Sequence, residues 1–354
     1  MPSWKDKLNK DPVPWLLEND QTQPAIRYYT LRDILGRDEN DSEVKAAKAA
    51  IMSSGPVPVI LAAQQPEGYW DKAGTSSGPK YRGTQWSLVF LAQLGADGAD
   101  SRIRAGCEYL LSHCVASNGA LSWHGTPSGF EQCMAGVMGA ALIDFGWLGD
   151  QRLQTAMGWL AQTITGEGVA DASNRDTKKR YYKSGNSGPL FLCSFNANLP
   201  CAWGAIKAMI ALSKVPPAYR TRNMQAAIKE GVGFLLSRDP AVADYPFDNQ
   251  TWRGQQGGNK PSSRWFTFFY PLGTSADVLQ NLEALAALGQ AQNPRLASAL
   301  DMVVSKQNEQ GRWKLEHTYI NGKSWVDIEK KGKPSKWVTL RALRVLKAAY
   351  PETA

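Results

Sequence analysis

One phrase recurs along the chain and narrows the folds open to it. An apolar stretch closes on Leu-Gly, and after a short gap an Asp, Asn or Ser opens the next stretch. It reads Leu94-Gly95 then Asp100-Ser101-Arg102, Leu148-Gly149-Asp150-Gln151-Arg152, and Leu288-Gly289 then Asn293-Pro294-Arg295. Leu35-Gly36 with Asp41-Ser42 is a fainter copy. Glycine suits the left-handed residue that ends a helix, and Asp or Asn accepts the free N–H groups that begin one. A second phrase follows the second helix of a unit: Gln64-Gln65-Pro66-Glu67-Gly68-Tyr69-Trp70, Gln307-Asn308-Glu309-Gln310-Gly311-Arg312-Trp313 and the degenerate Asn118-Gly119-Ala120-Leu121-Ser122-Trp123. Repetition at this period means stacked supersecondary units.

Pairing the two phrases predicts about six helical hairpins. First helices are expected near 24–36, 83–95, 130–146, 200–213, 275–289 and 336–349, and second helices near 42–64, 101–115, 151–165, 222–237 and 294–307. The sixth partner is expected from the N-terminal segment around Pro14-Trp15-Leu16-Leu17, which would close a ring. The first helices are apolar nearly all round. Ala202 to Leu212 carries a single charge, Lys207, as expected of a helix buried on every side. The expected fold is all-α, an (α/α)6 toroid formed by residues 1–354 as a single domain, with 1–23 as the closing segment.

The Gln…Gly-x-Trp phrase resembles the QW repeat of squalene and oxidosqualene cyclases, whose helical-hairpin fold also forms the β subunit of protein prenyltransferases. Residues 306–313 and 333–343 are similar to uncharacterised bacterial proteins carrying prenyltransferase and squalene-cyclase repeats. The resemblance runs from about residue 24 to 349. It implies a terpene cyclase/prenyltransferase-like toroid and an enzyme (a lyase, isomerase or transferase) acting on a hydrophobic, isoprenoid-like molecule in the ring centre. The Asp-x-Asp-Asp acid motif of the protonating cyclases is absent, and so are the Asp-rich magnesium motifs and the zinc spacing of the prenyltransferases.

The chain holds 13 Trp, 12 Tyr and 10 Phe, which fits an aromatic-lined cavity or a repeated packing motif. A net charge of +8 suits an anionic small molecule, a glycan or plain solubility. No dense basic stripe suggests nucleic acid, and Gly254-Gln255-Gln256-Gly257-Gly258 links no strand to a helix. The N-terminus has no apolar signal region and no apolar run approaches about 18 residues, so a cytoplasmic protein with reduced thiols is expected.

Hairpin toroids gather all loops from second to first helices at one end. Three are long: 166–199, 238–274 and 314–335. They carry Lys178, Lys179, Arg180, Tyr181, Tyr182 and Lys183; Trp252, Arg253, Arg264, Trp265, Phe266, Phe268, Phe269 and Tyr270; and Tyr319, Trp325, Lys330, Lys331 and Lys333. A roof with aromatic walls and a basic mouth is expected, suited to a hydrophobic or anionic small-molecule substrate. Cys133, Cys201 and Asp277 begin three inner helices at matching heights, with Cys193 in the roof loop eight residues before Cys201, His124 at the mouth after Trp123, and His317 after the Trp313 turn. Cys, Asp and His are ligands for Zn²⁺, and Cys133, Cys193, Cys201 and Asp277 form the candidate metal set; packing alone is the other reading of those thiols. Without a metal, Asp277 is the candidate acid, with Glu131 and Glu283 behind it, and Cys201 and His124 are the candidate nucleophile and base. Tyr81, Arg82, Trp86, Trp203, Trp265 and Trp325 are candidate substrate contacts. Cys107 and Cys114 are expected to pack on an outer helix. A polysaccharide lyase-like enzyme and a non-catalytic helical-repeat binding protein remain alternatives.

Overall fold

The computed structural model describes residues 3–74, 80–182, 188–247 and 262–352. Its helices, in chain order, are α1 (Val13–Leu16), α2 (Pro24–Tyr29), α3 (Ser42–Ser53), α4 (Pro56–Ala62), α5 (Thr84–Gln93), α6 (Ser101–Cys114), α7 (Gln132–Asp144), α8 (Gln151–Thr165), α9 (Ala202–Lys214), α10 (Arg222–Leu235), α11 (Val278–Ala287), α12 (Ala297–Ser305) and α13 (Lys336–Ala349). Two short antiparallel strands, β1 (Leu192–Cys193) and β2 (Leu199–Pro200), form a hairpin before α9.

The inner ring is built from α5, α7, α9, α11, α13 and α2, each packed on the next. The seam between α2 and α5 is closed by Gly95 lying against Tyr29, and by Leu94 meeting Pro24, Ala25 and Trp337 around a small apolar cleft. The outer partners α3, α6, α8, α10 and α12 pack on their own inner helices. Burial follows this division. In α9 nearly every residue from Ala202 to Leu212 is buried, whereas α10 buries Met224, Ala227, Gly231 and Leu235, a single stripe at helical spacing. The fold is an all-α toroid. Among the described residues no helix is long and apolar enough to cross a membrane.

The repeat phrases have a physical basis. Asp41, Asp100 and Asp150 cap α3, α6 and α8 by accepting backbone N–H groups, and Asn293 caps the turn leading into α12. In the second phrase, the Trp70 indole donates to Ile60 O at 2.7 Å and the Trp313 indole to Val303 O at 2.7 Å, so each tryptophan adds a second donor to a carbonyl in the last turn of a helix. The next inner helix is tied in the same way: Trp70 N–H donates to Thr84 Oγ1 and Trp313 N–H to Thr339 Oγ1, both at 3.0 Å. In the degenerate copy, Leu121 takes the tryptophan's place, pairing with Val115 as Trp70 pairs with Gln64. Trp123 therefore stands two residues past that position and turns toward Trp86.

Three expectations are revised. The predicted helix over 42–64 is two helices, because Gly55 (φ 70°) and Pro56 break it. The predicted first helix over 24–36 is regular only to Tyr29 and continues as a wider turn over Thr30–Ile34. Gly146 (φ 81°), not Gly149, is the left-handed residue after α7. The N-terminal segment lies on the last hairpin: Trp4 N–H donates to Tyr350 O at 2.8 Å, and Gln307 Nε2 donates to Lys7 O at 2.9 Å.

Candidate functional site

Because the inner helices run in parallel, residues equally far from their caps share a height in the ring. Cys201, Asp277 and Ser335 cap α9, α11 and α13. Six residues further on in each helix stand Lys207, Glu283 and Arg341, about 9 Å deeper at 1.5 Å per residue. These three are one charged layer. Arg341, 2% exposed, donates from Nη2 to Asp277 Oδ1 at 3.1 Å and Glu283 Oε2 at 2.7 Å, and from Nη1 to Phe269 O at 2.8 Å. Lys207 is buried too, and its Nζ donates to Gln280 Oε1. Burial lowers its pKa to about 7, against the pull of Asp277.

Asp277, the candidate acid and metal ligand, is fully buried and committed on both oxygens. Oδ1 accepts Gln280 N–H at 2.7 Å and Oδ2 accepts Phe269 N–H at 3.3 Å, in addition to Arg341. It caps α11 and anchors the arginine. Glu283, behind it in the sequence reading, keeps 21% of its side chain accessible and also pairs with Arg341.

The three remaining candidate zinc ligands are neighbours but do not gather round one point. The Cys193 thiol donates to Cys201, which raises the Cys193 pKa and lowers that of Cys201. Cys201 Sγ also accepts Gly204 N–H at 3.4 Å at the start of α9. Cys133 Sγ donates to Glu131 Oε2 at 3.6 Å, and burial first, then the Glu131 and Cys193 charges, push its pKa well up. Asp277 is paired with Arg341 instead. Among the described residues no three His, Cys, Asp or Glu side chains are grouped so that they could hold a metal ion. Cys107 and Cys114 are buried in α6, with burial raising them to about 12 and about 11.

Above the charged layer runs a chain of rings contributed by α5 and four different loops. Trp123 meets Trp86 at 5.8 Å between centroids, Trp86 meets Tyr81 at 4.9 Å, Tyr81 meets Tyr319 at 6.0 Å, and Tyr319 meets Phe269 at 5.0 Å. His317 stands edge-on to Tyr319 at 4.9 Å and to Phe269 at 6.3 Å. Its Nε2 is buried and makes no hydrogen bond to any described residue. Burial, then the charges of Arg264 and Lys331, lower its pKa, so the ring is neutral at pH 7. Burial raises Tyr81 and Tyr319, which stay protonated.

The other candidates divide. Tyr81 and Trp86 belong to this ring wall. Arg82 is exposed and knits the third roof loop to α5: its Nε donates to Ser324 O at 3.3 Å, while the Trp325 indole donates to Arg82 O at 3.0 Å. Trp265 is a brace, buried against Tyr245 with its N–H on Pro240 O at 2.8 Å. Trp203 is half-buried beside Phe247. His124 is exposed on the loop after Trp123, and the imidazole facing the ring wall is His317. What brings His317 in is its pairing with Phe269, a contact between residues 48 apart that no local pattern announces. Lys183, Trp252, Arg253 and the glycine-rich 254–258 lie outside the described residues.

No protein-family profile matches the chain, and no curated protein matches it. Among solved structures, a variant of the type II terpene cyclase MstE from Scytonema, in complex with geranylgeranyl dihydroxybenzoate, is 14% identical with a TM-score of 0.43, covering 94% of this chain and 88% of that one. Another variant of the same cyclase, without ligand, is 14% identical with a TM-score of 0.44, over 94% and 87%. A protein from Actinoplanes is 16% identical with a TM-score of 0.42, over 92% and 90%. Superpositions this loose say nothing about chemistry, which has to be read from the residues of this chain.

Proposed function

We propose that this chain is an enzyme acting on a small, mostly apolar, isoprenoid-like molecule that carries one hydroxyl or carbonyl group, and that it works by acid–base chemistry under the roof of the ring. The carrying observation is the buried, unpartnered Nε2 of His317. Leaving such a nitrogen without a partner costs about 1–3 kcal/mol, a cost that a ligand's polar group would remove. The walls around it are the rings of Tyr81, Trp86, Phe269 and Tyr319, which suit an apolar body. A neutral imidazole can take a proton from the bound molecule at pH 7. Tyr319, whose ring stands edge-on to His317, keeps its proton and offers a hydroxyl donor, and Lys207, with a pKa of about 7, is a second group able to exchange protons at neutral pH.

The test uses geraniol, farnesol and geranylgeraniol as probes. Binding is read from tryptophan fluorescence and thermal shift, and conversion from gas chromatography with mass detection. The wild type is expected to bind at least one alcohol and convert it. His317→Asn keeps a hydrogen-bonding group without the proton exchange, so it should retain binding while conversion falls on the order of 100-fold or more. No binding of any probe, or unchanged conversion by His317→Asn, would sink the proposal.

A further inference from the structure

We propose that Cys193 and Cys201 form a redox-active dithiol, which a small-molecule disulfide oxidises to an intramolecular disulfide with Cys201 as the attacking sulfur. The inference is independent of the acid–base reading above.

The backbone sets the two sulfurs together. In the β1–β2 hairpin Leu192 faces Pro200 and Cys193 faces Leu199, and the pairing continues as Cys201 N–H donates to Phe191 O at 2.9 Å. Residues two apart on a strand share a face, so Cys201 lies diagonally from Cys193 on the same side of the hairpin. The two side chains are hydrogen-bonded to each other. The hairpin holds this shape with Leu190, Phe191, Ala197 and Asn198 at φ 52°, 66°, 50° and 58°, a left-handed conformation rare outside glycine.

The two sulfurs differ in character. Cys201 Sγ receives the Cys193 hydrogen and the Gly204 N–H at the start of α9, an arrangement that stabilises a thiolate. Cys133, the third thiol nearby, gives its hydrogen to the Glu131 carboxylate, which opposes ionisation. Access separates the pair from Cys107 and Cys114, which are enclosed in α6: Cys193 and Cys201, like Cys133, are half-buried, and Phe195 and Leu199 of the hairpin are exposed.

The chemistry balances without a metal or enzyme-bound cofactor. The Cys201 thiolate attacks one sulfur of the small disulfide; a bond forms between Cys201 and that sulfur, the original S–S bond breaks, and one small thiolate leaves. Cys193 then attacks the Cys201 sulfur, the mixed disulfide breaks, and the second small thiolate leaves with the Cys193 proton. The two cysteines lose two electrons and the small disulfide gains them.

The experiment is mass spectrometry of the full chain after incubation with oxidised glutathione, followed by denaturation, alkylation and peptide mapping, with and without prior treatment with EDTA. The untreated protein is expected to alkylate at all five cysteines, and the oxidised protein at two fewer, with one linked pair, Cys193–Cys201. Cys193→Ser should stop at a single glutathione adduct on Cys201, and Cys133→Ser should still form the linked pair. Retention of all five thiols, a linkage that includes Cys133, or an adduct elsewhere in Cys193→Ser would overturn the proposal. So would oxidation that begins only after EDTA treatment, since a bound metal would then be the thiols' true partner.

Discussion

At the scale of single residues, the protein buries two ionisable groups whose titrations oppose each other. Lys207 has a folded pKa of about 7 against 10.5 for the free side chain. Between those values the unfolded chain holds a proton that the folded chain has released, so stability rises with pH across that window. Below about 7 both states are protonated, and the cost of the buried ammonium is complete. Glu329, which accepts the Ser335 hydroxyl and Lys336 N–H at the start of α13, is raised by burial to about 7 from 4.5. Here the folded state keeps a proton that the unfolded state has lost, so stability falls as pH rises from about 4.5 to 7. Together the two groups place a minimum near neutrality. In urea titrations, Lys207→Met should remove the rise between pH 7 and 10, and Glu329→Gln the fall between pH 5 and 7. A wild-type minus variant difference that does not vary with pH would refute either assignment. Of these residues, Lys207 was visible in the sequence as the lone charge of an apolar helix, but its sixth-residue match to Glu283 and Arg341 emerges only once the caps are located.

At the scale of elements, the hairpins were legible because their signals are local. Leu-Gly ends, Asp caps and helical spacing place α6, α8 and α13 within a residue or so of their observed bounds. What escaped were features set by contacts distant in sequence: the β1–β2 hairpin, the pairing of Phe269 with His317, and the capture of Asp277 by an arginine from the next inner helix. The glycine of the Gly-x-Trp turn shows how much a local motif can hide. Gly311 and Gly36 have nearly the same backbone, φ 67° and 68°. A Cβ at Gly36 would meet nothing within 4 Å, whereas one at Gly311 would lie 1.8 Å from the backbone oxygen of Lys10. Alanine at either site incurs the left-handed penalty of about 1 kcal/mol. Only at Gly311 must the N-terminal segment also move off the last hairpin. Gly311→Ala should therefore lower the melting temperature several-fold more than Gly36→Ala. Equal shifts in thermal melts would show that this contact contributes nothing.

At the scale of the whole molecule, the ring is a statement about cooperativity. In an open stack of repeats the end units contact one neighbour only and fray first. Here the first and last inner helices meet. The Trp337 indole of α13 donates to Gln23 Oε1 at 2.7 Å, Tyr270 stacks on Trp337 at 4.3 Å, and Tyr29 of α2 meets the same indole edge-on at 6.0 Å. On the far side of the molecule α7 and α9 pack through small residues, Gly136 lying against the backbone of Lys207 and Ala208. If the closure is real in energy as well as in shape, the seam is no weaker than that opposite wall. Native-state hydrogen exchange should then protect the buried amides of α2 and α13 about as strongly as those of α7 and α9. Trp337→Phe removes the bond to Gln23 and leaves a buried amide oxygen unpaired, a loss of about 1–3 kcal/mol. In a cooperative ring that loss lowers protection in all four helices by a similar factor. In an open stack it loosens α2 and α13 alone and leaves α7 and α9 untouched, and that pattern of exchange would refute closure as a source of stability.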